Sequence, residues 1–214
     1  EAIVYYDNSS LTLERLFWSF AKTAPNSQRG WTRAMPSWIK YKFYIPQLIR
    51  KKLKYNGKMF HDLHHRSHIA AAFFPSPYKK AAILTIDGVG EWATASIAIG
   101  EENKITTLKE MNFPNSLGLL YSAFTLFTGF KINSGEYKMM GLAPYGRPIY
   151  VDLILKKLID IKEDGSIDIN QNYFSYINGS AMTNKNFADL FGGPARAPES
   201  KITQREMDIA CSIQ

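Results

Sequence analysis

Two histidines lie four residues apart in the segment 64–73, which continues into a run of alanines and phenylalanines. Residues at this spacing lie on one face of a helix, so His64 and His68 can direct their rings at one point. Further along, the apolar stretch 81–86 predicts a strand that ends at Asp87, and carboxylates at strand ends are frequent in the sites of α/β proteins. Two imidazoles and one carboxylate are a ligand set typical of a divalent transition metal such as iron, manganese or zinc.

A simpler interpretation of the histidine pair competes with a metal site. Many histidines on helices serve only capping or core hydrogen bonds, and no glutamate follows His64 as the HExxH pattern of zinc proteases would require. The turn Gly88-Val89-Gly90-Glu91 directly after the predicted strand strengthens the metal interpretation. The residues alone leave both interpretations open.

The composition favours a folded chain with a substantial core. Of the 214 residues, 45% are hydrophobic and 14% aromatic, which argues against disorder. The single cysteine, Cys211, excludes an internal disulfide, and we expect a reducing, cytoplasmic compartment. We expect neither a membrane span nor a signal peptide. The chain starts without methionine and stops inside a predicted helix, so we expect it to be part of a longer protein.

The positive charge is concentrated in one window. Nine basic residues and no acidic residue lie between Arg29 and Lys58, whereas the net charge of the whole chain is +7. A basic stretch with interspersed aromatics can bind phosphates, anionic lipid or nucleic acid. A solvated helix face explains the pattern more simply, and the sequence contains no nucleic-acid-binding module. We therefore expect no nucleic-acid partner and no membrane partner.

The remaining patterns predict a mixed α/β fold. Strands are predicted over 2–6, within the three-strand meander 81–86, 93–100 and 104–111, and within 166–178. Helices are predicted over 11–22, over 38–55 as two pieces bent at Pro46, over 117–128, over 151–161 and after Thr203, where Glu206 completes a capping box. Residues 24–36 are predicted to form a loop.

Residues 133–146 are a second candidate site. Gly135, Gly141 and Gly146 allow a close backbone approach to a ligand, and Glu136 and Lys138 add charges of both signs. Glycine-rich turns can present N–H groups to anions. The spacing matches no named phosphate loop, so an ordinary connecting loop is an equally good interpretation.

Four motifs together resemble one known family. HHRSHIAAAFFPSP, LTIDGVGEW, FPNSLGLLYSAFT and NSGEYKMMGLAPYG look like the corresponding motifs of the O-carbamoyltransferases that act in nodulation and antibiotic tailoring. The resemblance implies a piece of a two-lobed, ribonuclease H-like fold related to actin, sugar kinases, Hsp70 and the tRNA threonylcarbamoyl-transfer enzymes. It also implies that a separate C-terminal domain makes carbamoyl adenylate from carbamoyl phosphate and ATP. The carbamoyl group then passes to a hydroxyl of a sugar, nodulation factor or antibiotic-like acceptor at an iron-containing site.

The resemblance also assigns roles to individual residues. His64, His68 and Asp87 match the family's metal ligands and count with Lys138 as catalytic candidates. The positions that match nucleotide- or substrate-binding turns are Gly88, Gly90, Glu91, Ser134, Gly135 and Glu136. A further histidine and a further aspartate of the family's site have no counterpart in the sequence, so we expect the chain to be inactive alone.

The break Pro75-Ser76-Pro77 predicts the domain organisation. We expect residues 1–79 to complete a first lobe and residues 80–214 to begin a second one. The acceptor and the oligomeric state do not follow from the sequence, although a homodimer is compatible with it. A kinase or ATPase of the same broad fold and a non-catalytic nucleotide-binding fragment are the alternative functions.

Overall fold

The computed structural model describes residues 2–179 and 181–214. It has a mixed α/β architecture with one parallel and two antiparallel sheets among these residues, which confirms the predicted fold class. The chain forms two compact units, one up to Phe113 and one from Pro114 onward.

The first unit begins with a parallel strand pair. Strand β1 (Ala2–Tyr5) pairs with β2 (Lys58–His61), and Ala2 lies opposite Lys58. The connection between them contains α1 (Ser9–Lys22), α2 (Gln28–Lys40), a short 3-10 helix (Lys42–Tyr44) and α3 (Ile45–Leu53). The strand over 2–6 and the helix over 11–22 are confirmed.

The predicted loop over 24–36 was wrong, because α2 runs through Pro36. A proline inside a helix removes one backbone hydrogen bond and costs roughly 3 kcal/mol. Burial of Trp38, together with the edge-on contact between Trp31 and Phe20 at 5.7 Å, offsets this cost. The two helical pieces predicted within 38–55 are present, but the break between them precedes Pro46. This proline lies in the first turn of α3, where a backbone N–H has no partner within the helix.

An antiparallel meander of three strands completes the first unit, which confirms the meander predicted from the sequence. Strands β3 (Lys80–Ile86), β4 (Ala93–Glu101) and β5 (Lys104–Asn112) follow in order. Helix α4 (His64–Phe73) packs on one face of this sheet, where a core forms from Ile69, Phe73, Ile83 and Ala98.

The compact units divide after Phe113, whereas the predicted lobes divide after residue 79. Packing of Ile69 and Phe73 on Ile83 places α4 and the meander in one compact unit. The lobe boundary concerns the intact fold and stays a prediction.

The second unit is mainly helical. Its elements are α5 (Leu117–Phe127), α6 (Glu136–Leu142), a 3-10 helix (Ala143–Tyr145), α7 (Val151–Lys157), β6 (Ile159–Ile161), β7 (Ile167–Ile169), two 3-10 turns (Gln171–Tyr173 and Tyr176–Asn178), α8 (Lys185–Leu190) and α9 (Gln204–Ile213). Four phenylalanines pack ring against ring at its centre: Phe124, Phe127, Phe187 and Phe191.

Two predictions in this unit have different outcomes. The capping box of Thr203 and Glu206 at the start of α9 is confirmed. The helix predicted over 151–161 was wrong in its last part, because Ile159–Ile161 pairs with Ile167–Ile169 as a hairpin. Among the described residues, no helix combines the length and apolar character needed to cross a membrane.

Candidate metal centre

The fold brings the three predicted metal ligands together. His64 is the first residue of α4, His68 lies one turn later, and Asp87 directly follows β3. The His64 Nε2 atom lies 2.7 Å from Asp87 Oδ2 and 3.1 Å from His68 Nε2, and His68 Nε2 lies 3.4 Å from the same carboxylate oxygen. Three potential donor atoms therefore converge on one point of the first unit.

The donor set and its spacing fit a divalent transition metal. Nitrogen and oxygen ligands bind such an ion at about 2.0–2.2 Å, which places neighbouring donors roughly 3 Å apart. The observed separations between the donor atoms, 2.7–3.4 Å, are close to this value. Two imidazoles with one carboxylate suit iron, manganese or zinc better than magnesium or calcium. Three protein donors leave coordination positions open for a substrate.

Asp87 is held in its ionised form. Burial alone raises the pKa of its carboxyl group, but hydrogen bonds from the Gly88 N–H and from His64, together with the nearby imidazoles, lower the pKa below its usual range. The Gly88 N–H donates to Oδ1 at 2.6 Å, and Oδ2 faces the two histidines. One carboxylate oxygen is thus fixed by the backbone while the other points into the cluster.

The Glu91 carboxylate lies inside the unit and joins the starts of two helices. It accepts the backbone N–H of Asn8 at 2.7 Å and that of His64 at 3.1 and 3.2 Å. Asn8 is the N-cap of α1, and His64 begins α4. Only 4% of Glu91 is exposed. These contacts favour a positioning role, and the nucleotide-binding role assigned to Glu91 by resemblance stays a prediction.

A buried arginine lies beside Glu91. Arg15 Nε donates to the Glu91 carbonyl at 2.6 Å, and its guanidinium lies over the Phe113 ring at 5.1 Å. Burial lowers the pKa of Arg15 to about 10, although the carboxylates of Asp7 and Glu91 oppose this change. Burial and the Glu91 carboxylate raise the pKa of Asp7. Asp7 and Glu91, the acidic groups near the candidate ligands, thus have the guanidinium of Arg15 as a cationic neighbour.

The turn after Asp87 leaves little space for a side chain at Gly90, and the amides of Gly88 and Gly90 form hydrogen bonds within the chain. A Cβ added at Gly90 would lie 3.0 Å from His64 Cβ and 3.2 Å from His65 Cδ2, so glycine permits the close approach of α4. The Gly90 N–H donates to the Ala93 carbonyl at 2.9 Å, and the Gly88 N–H donates to Asp87. Both amides already have partners within the chain, and binding of a nucleotide by Gly88 and Gly90 stays a prediction.

The sequence reasoning missed His65, the histidine between the two candidate ligands. Its side chain faces the meander, and only 2% of the residue is exposed. Nδ1 lies 2.9 Å from Thr85 Oγ1 and 3.1 Å from Ser96 Oγ. Burial lowers the pKa of His65, which favours the neutral ring. The available signal was the presence of the hydroxyl side chains of Thr85 and Ser96 within two largely apolar strands.

The second candidate group lies in the second unit. The Glu136 carboxylate accepts the N–H groups of Asn133 and Gly135 at 2.8 and 3.1 Å and the Ser122 hydroxyl at 3.2 Å. Burial raises the pKa of Glu136, but the hydrogen bonds from these donors outweigh burial and lower the pKa below its usual value. The segment predicted as a possible loop therefore contains helix α6, whose first turn Glu136 stabilises.

The other members of this group have different surroundings. Ser134 and Lys138 are exposed, and Lys138 lines an open cavity of about 560 Å³ with Lys131 and Arg196. The catalytic role of Lys138 and the ligand-binding roles of Ser134, Gly135 and Glu136 stay predictions.

Comparison with known proteins identifies the family. Residues 1–214 match the family model described as carbamoyltransferase N-terminus. The chain belongs to this family. It is 53% identical to the protein sll1178 of Synechocystis sp. over 99% of the chain and 36% of that protein. It is 30% identical to the nodulation protein NolNO of Sinorhizobium fredii over 71% of the chain and 20% of that protein, and 28% identical to the nodulation protein NolO of Bradyrhizobium diazoefficiens over 71% of the chain and 25% of that protein.

The match extends along this chain but not along its relatives. The chain spans about a third or less of the length of these curated relatives. The family shown for this chain is thus the one described as carbamoyltransferase N-terminus.

Proposed function

We propose that this chain is the part of an O-carbamoyltransferase that supplies His64, His68 and Asp87 as ligands to one divalent metal ion, with iron as the first candidate. The convergence of these three donors carries the proposal, together with family membership. In the whole protein, the donor would be carbamoyl adenylate made from carbamoyl phosphate and ATP. The acceptor would be the hydroxyl of a small molecule.

The residues of this chain would prepare the site. Asp87 supplies a negative charge, because the Gly88 N–H and the imidazoles favour its ionised form. His64 and His68 present Nε2 atoms on the same side as Asp87 Oδ2. Glu91 fixes the start of α4 and thereby the position of His64. A divalent metal with open coordination positions, when bound, polarises a carbonyl group and lowers the pKa of an acceptor hydroxyl.

The test is the His68→Ala variant of the full-length protein. We expect metal content to fall to background and carbamoyl transfer to be lost, while adenylate formation from carbamoyl phosphate and ATP continues. The matched control is His61→Ala, which removes an exposed histidine of β2 outside the cluster. Its metal content and transfer rate should equal those of the wild type.

The opposite outcome favours another function. Full carbamoyl transfer by a metal-free His68→Ala protein would remove the histidine pair from the mechanism. A kinase or ATPase of the same broad fold has no need of this pair. ATP hydrolysis that persists unchanged in His68→Ala, together with the absence of carbamoyl transfer in the wild type, would therefore support that alternative.

A further inference from the structure

His65 makes the polar contacts of α4 with the interior of the meander. The core beneath this helix is otherwise apolar and contains Ile69 and Phe73. His65 alone of the three histidines in α4 is fully buried, since His64 and His68 remain partly exposed. A buried imidazole in an apolar interface costs free energy unless it forms hydrogen bonds, so its contacts need an explanation.

The partners of His65 are a matched pair on neighbouring strands. Thr85 on β3 and Ser96 on β4 lie directly opposite each other in the antiparallel register. Both are buried, and both hydroxyls lie within hydrogen-bond distance of His65 Nδ1. Among the described residues, Nε2 has no partner, so the ring proton belongs on Nδ1, where it can be donated to a hydroxyl oxygen.

These contacts lie close to all three candidate ligands along the chain. His65 is adjacent to His64 and three residues before His68, and Thr85 is two residues before Asp87. The His65 ring centroid lies 6.1 Å from the centroids of both His64 and His68. The hydrogen bond from His65 to Thr85 therefore connects the helix that carries two ligands with the strand that carries the third.

We propose that His65 is a positioning residue of the metal centre, an inference that rests on the proposed function. Its hydrogen bonds to Thr85 and Ser96 fix the rotation and the axial position of α4 on the sheet. One residue of helix corresponds to about 1.5 Å of axial rise, whereas ligand distances tolerate only about 0.2 Å. Apolar contacts alone permit small displacements of a helix, and a directional bond at His65 opposes them.

The experiment compares two replacements of His65 in the full-length protein. His65→Leu fills the site without a hydrogen bond, and His65→Asn keeps a side-chain N–H near the position of Nδ1. The readout is the affinity of the metal-free protein for Fe²⁺, titrated anaerobically by calorimetry. We expect the leucine variant to lose at least roughly tenfold in affinity, the lower end of the effect of residues that orient metal ligands. The asparagine variant should remain within about threefold of the wild type by the same measure.

A packing control separates positioning from general stability. Ile69→Val weakens the same helix–sheet interface without removing a hydrogen bond. It should lower the unfolding midpoint but leave the Fe²⁺ affinity unchanged. Equal affinity losses in His65→Leu and Ile69→Val, or no loss in His65→Leu, would overturn the proposal.

Further variants cover the case in which His65→Leu does not fold. Thr85→Val and Ser96→Ala retain the histidine and remove its partners, so the double variant should lower the Fe²⁺ affinity as His65→Leu does. Unchanged affinity in the double variant contradicts the proposal. If the wild-type protein binds no metal, the proposed function fails. Hydrogen exchange of the α4 amides, which needs no metal, then tests whether the hydrogen bonds of His65 hold α4 on the sheet. Faster exchange in the double variant supports this part of the proposal, and unchanged exchange contradicts it.

Discussion

Replacement of Glu91 by glutamine separates a positioning role of this carboxylate from a role in nucleotide binding. The carboxylate accepts the Asn8 and His64 amides at 2.7 and 3.1 Å in a buried setting. A hydrogen bond to a charged group contributes roughly 1.5–3 kcal/mol and a neutral one roughly 0.5–1.5 kcal/mol. Glutamine keeps one acceptor oxygen but turns an NH₂ group toward a backbone donor. We therefore expect a local loss of about 2–3 kcal/mol at the starts of α1 and α4.

Hydrogen exchange followed by mass spectrometry measures this loss in the full-length protein without metal or nucleotide. Since 1.4 kcal/mol corresponds to a factor of ten, the amides at the starts of α1 and α4 should exchange roughly 30- to 140-fold faster in Glu91→Gln. The control is Glu101→Gln, because Glu101 forms an exposed ion pair with Lys80. Such pairs contribute about 0–1 kcal/mol, so exchange in both helices should stay near the wild-type rate.

One combination of results would refute this account of Glu91. If exchange in α1 and α4 were unchanged while nucleotide affinity fell, the carboxylate would serve the ligand and not the helices. The role assigned by family resemblance would then be correct. Faster exchange with unchanged nucleotide affinity supports the positioning role.

Three further predictions concern the turn, the last helix and the basic window. Gly90→Ala should destabilise the first unit by about 1–2 kcal/mol, because the added Cβ would lie 3.0 Å from His64 Cβ; metal titration and thermal unfolding should both detect the change. Burial raises the pKa of Glu206, but hydrogen bonds from Thr203 and Arg205 outweigh burial, so the pKa in the folded state is lower than in the unfolded state. A capping box stabilises a helix by roughly 1–2 kcal/mol. The contribution of Glu206 should be present above the unfolded pKa of about 4.3 and disappear as pH falls through the folded pKa. The difference in urea unfolding between the wild type and Glu206→Gln, followed against pH, measures this contribution. The full-length protein should not bind duplex DNA or RNA at about 0.15 M salt, and steeply salt-dependent binding in a filter assay would contradict a solvated role for residues 29–58.

Local patterns correctly predicted several parts of the fold. The meander follows from short apolar and alternating runs separated by turn residues, and its three strands pair in chain order. The start of α9 follows from the spacing of Thr203 and Glu206. The proximity of His64 and His68 follows from helical geometry. Each of these features depends on residues within one element or on elements that follow each other directly along the chain.

Elements that depend on distant partners could not be predicted in this way. Strand β2 has four residues and forms because β1, more than fifty residues earlier, pairs with it in parallel. Helix α2 contains a glycine and a proline that locally indicate a loop. Burial of Trp38 and the contact of Trp31 with Phe20 of α1 reverse this preference. Short segments with conflicting local signals take the structure that their tertiary contacts favour.

The candidate site also contains features that the sequence predicts and features that only the fold reveals. Asp87 and Glu91 are carboxylates four residues apart in one turn, and residue type alone gives no reason to treat them differently. The backbone directs one toward the imidazoles and the other toward two helix starts, and the partner amide of Asn8 lies 83 residues from Glu91. The proximity of His64 and His68 can thus be inferred from their spacing, whereas Asp87 lies 23 residues from His64 and reaches it because β3 packs beside α4. Glu91 and His65 form hydrogen bonds to residues distant in sequence, and only the folded chain distinguishes these two residues from the candidate ligands.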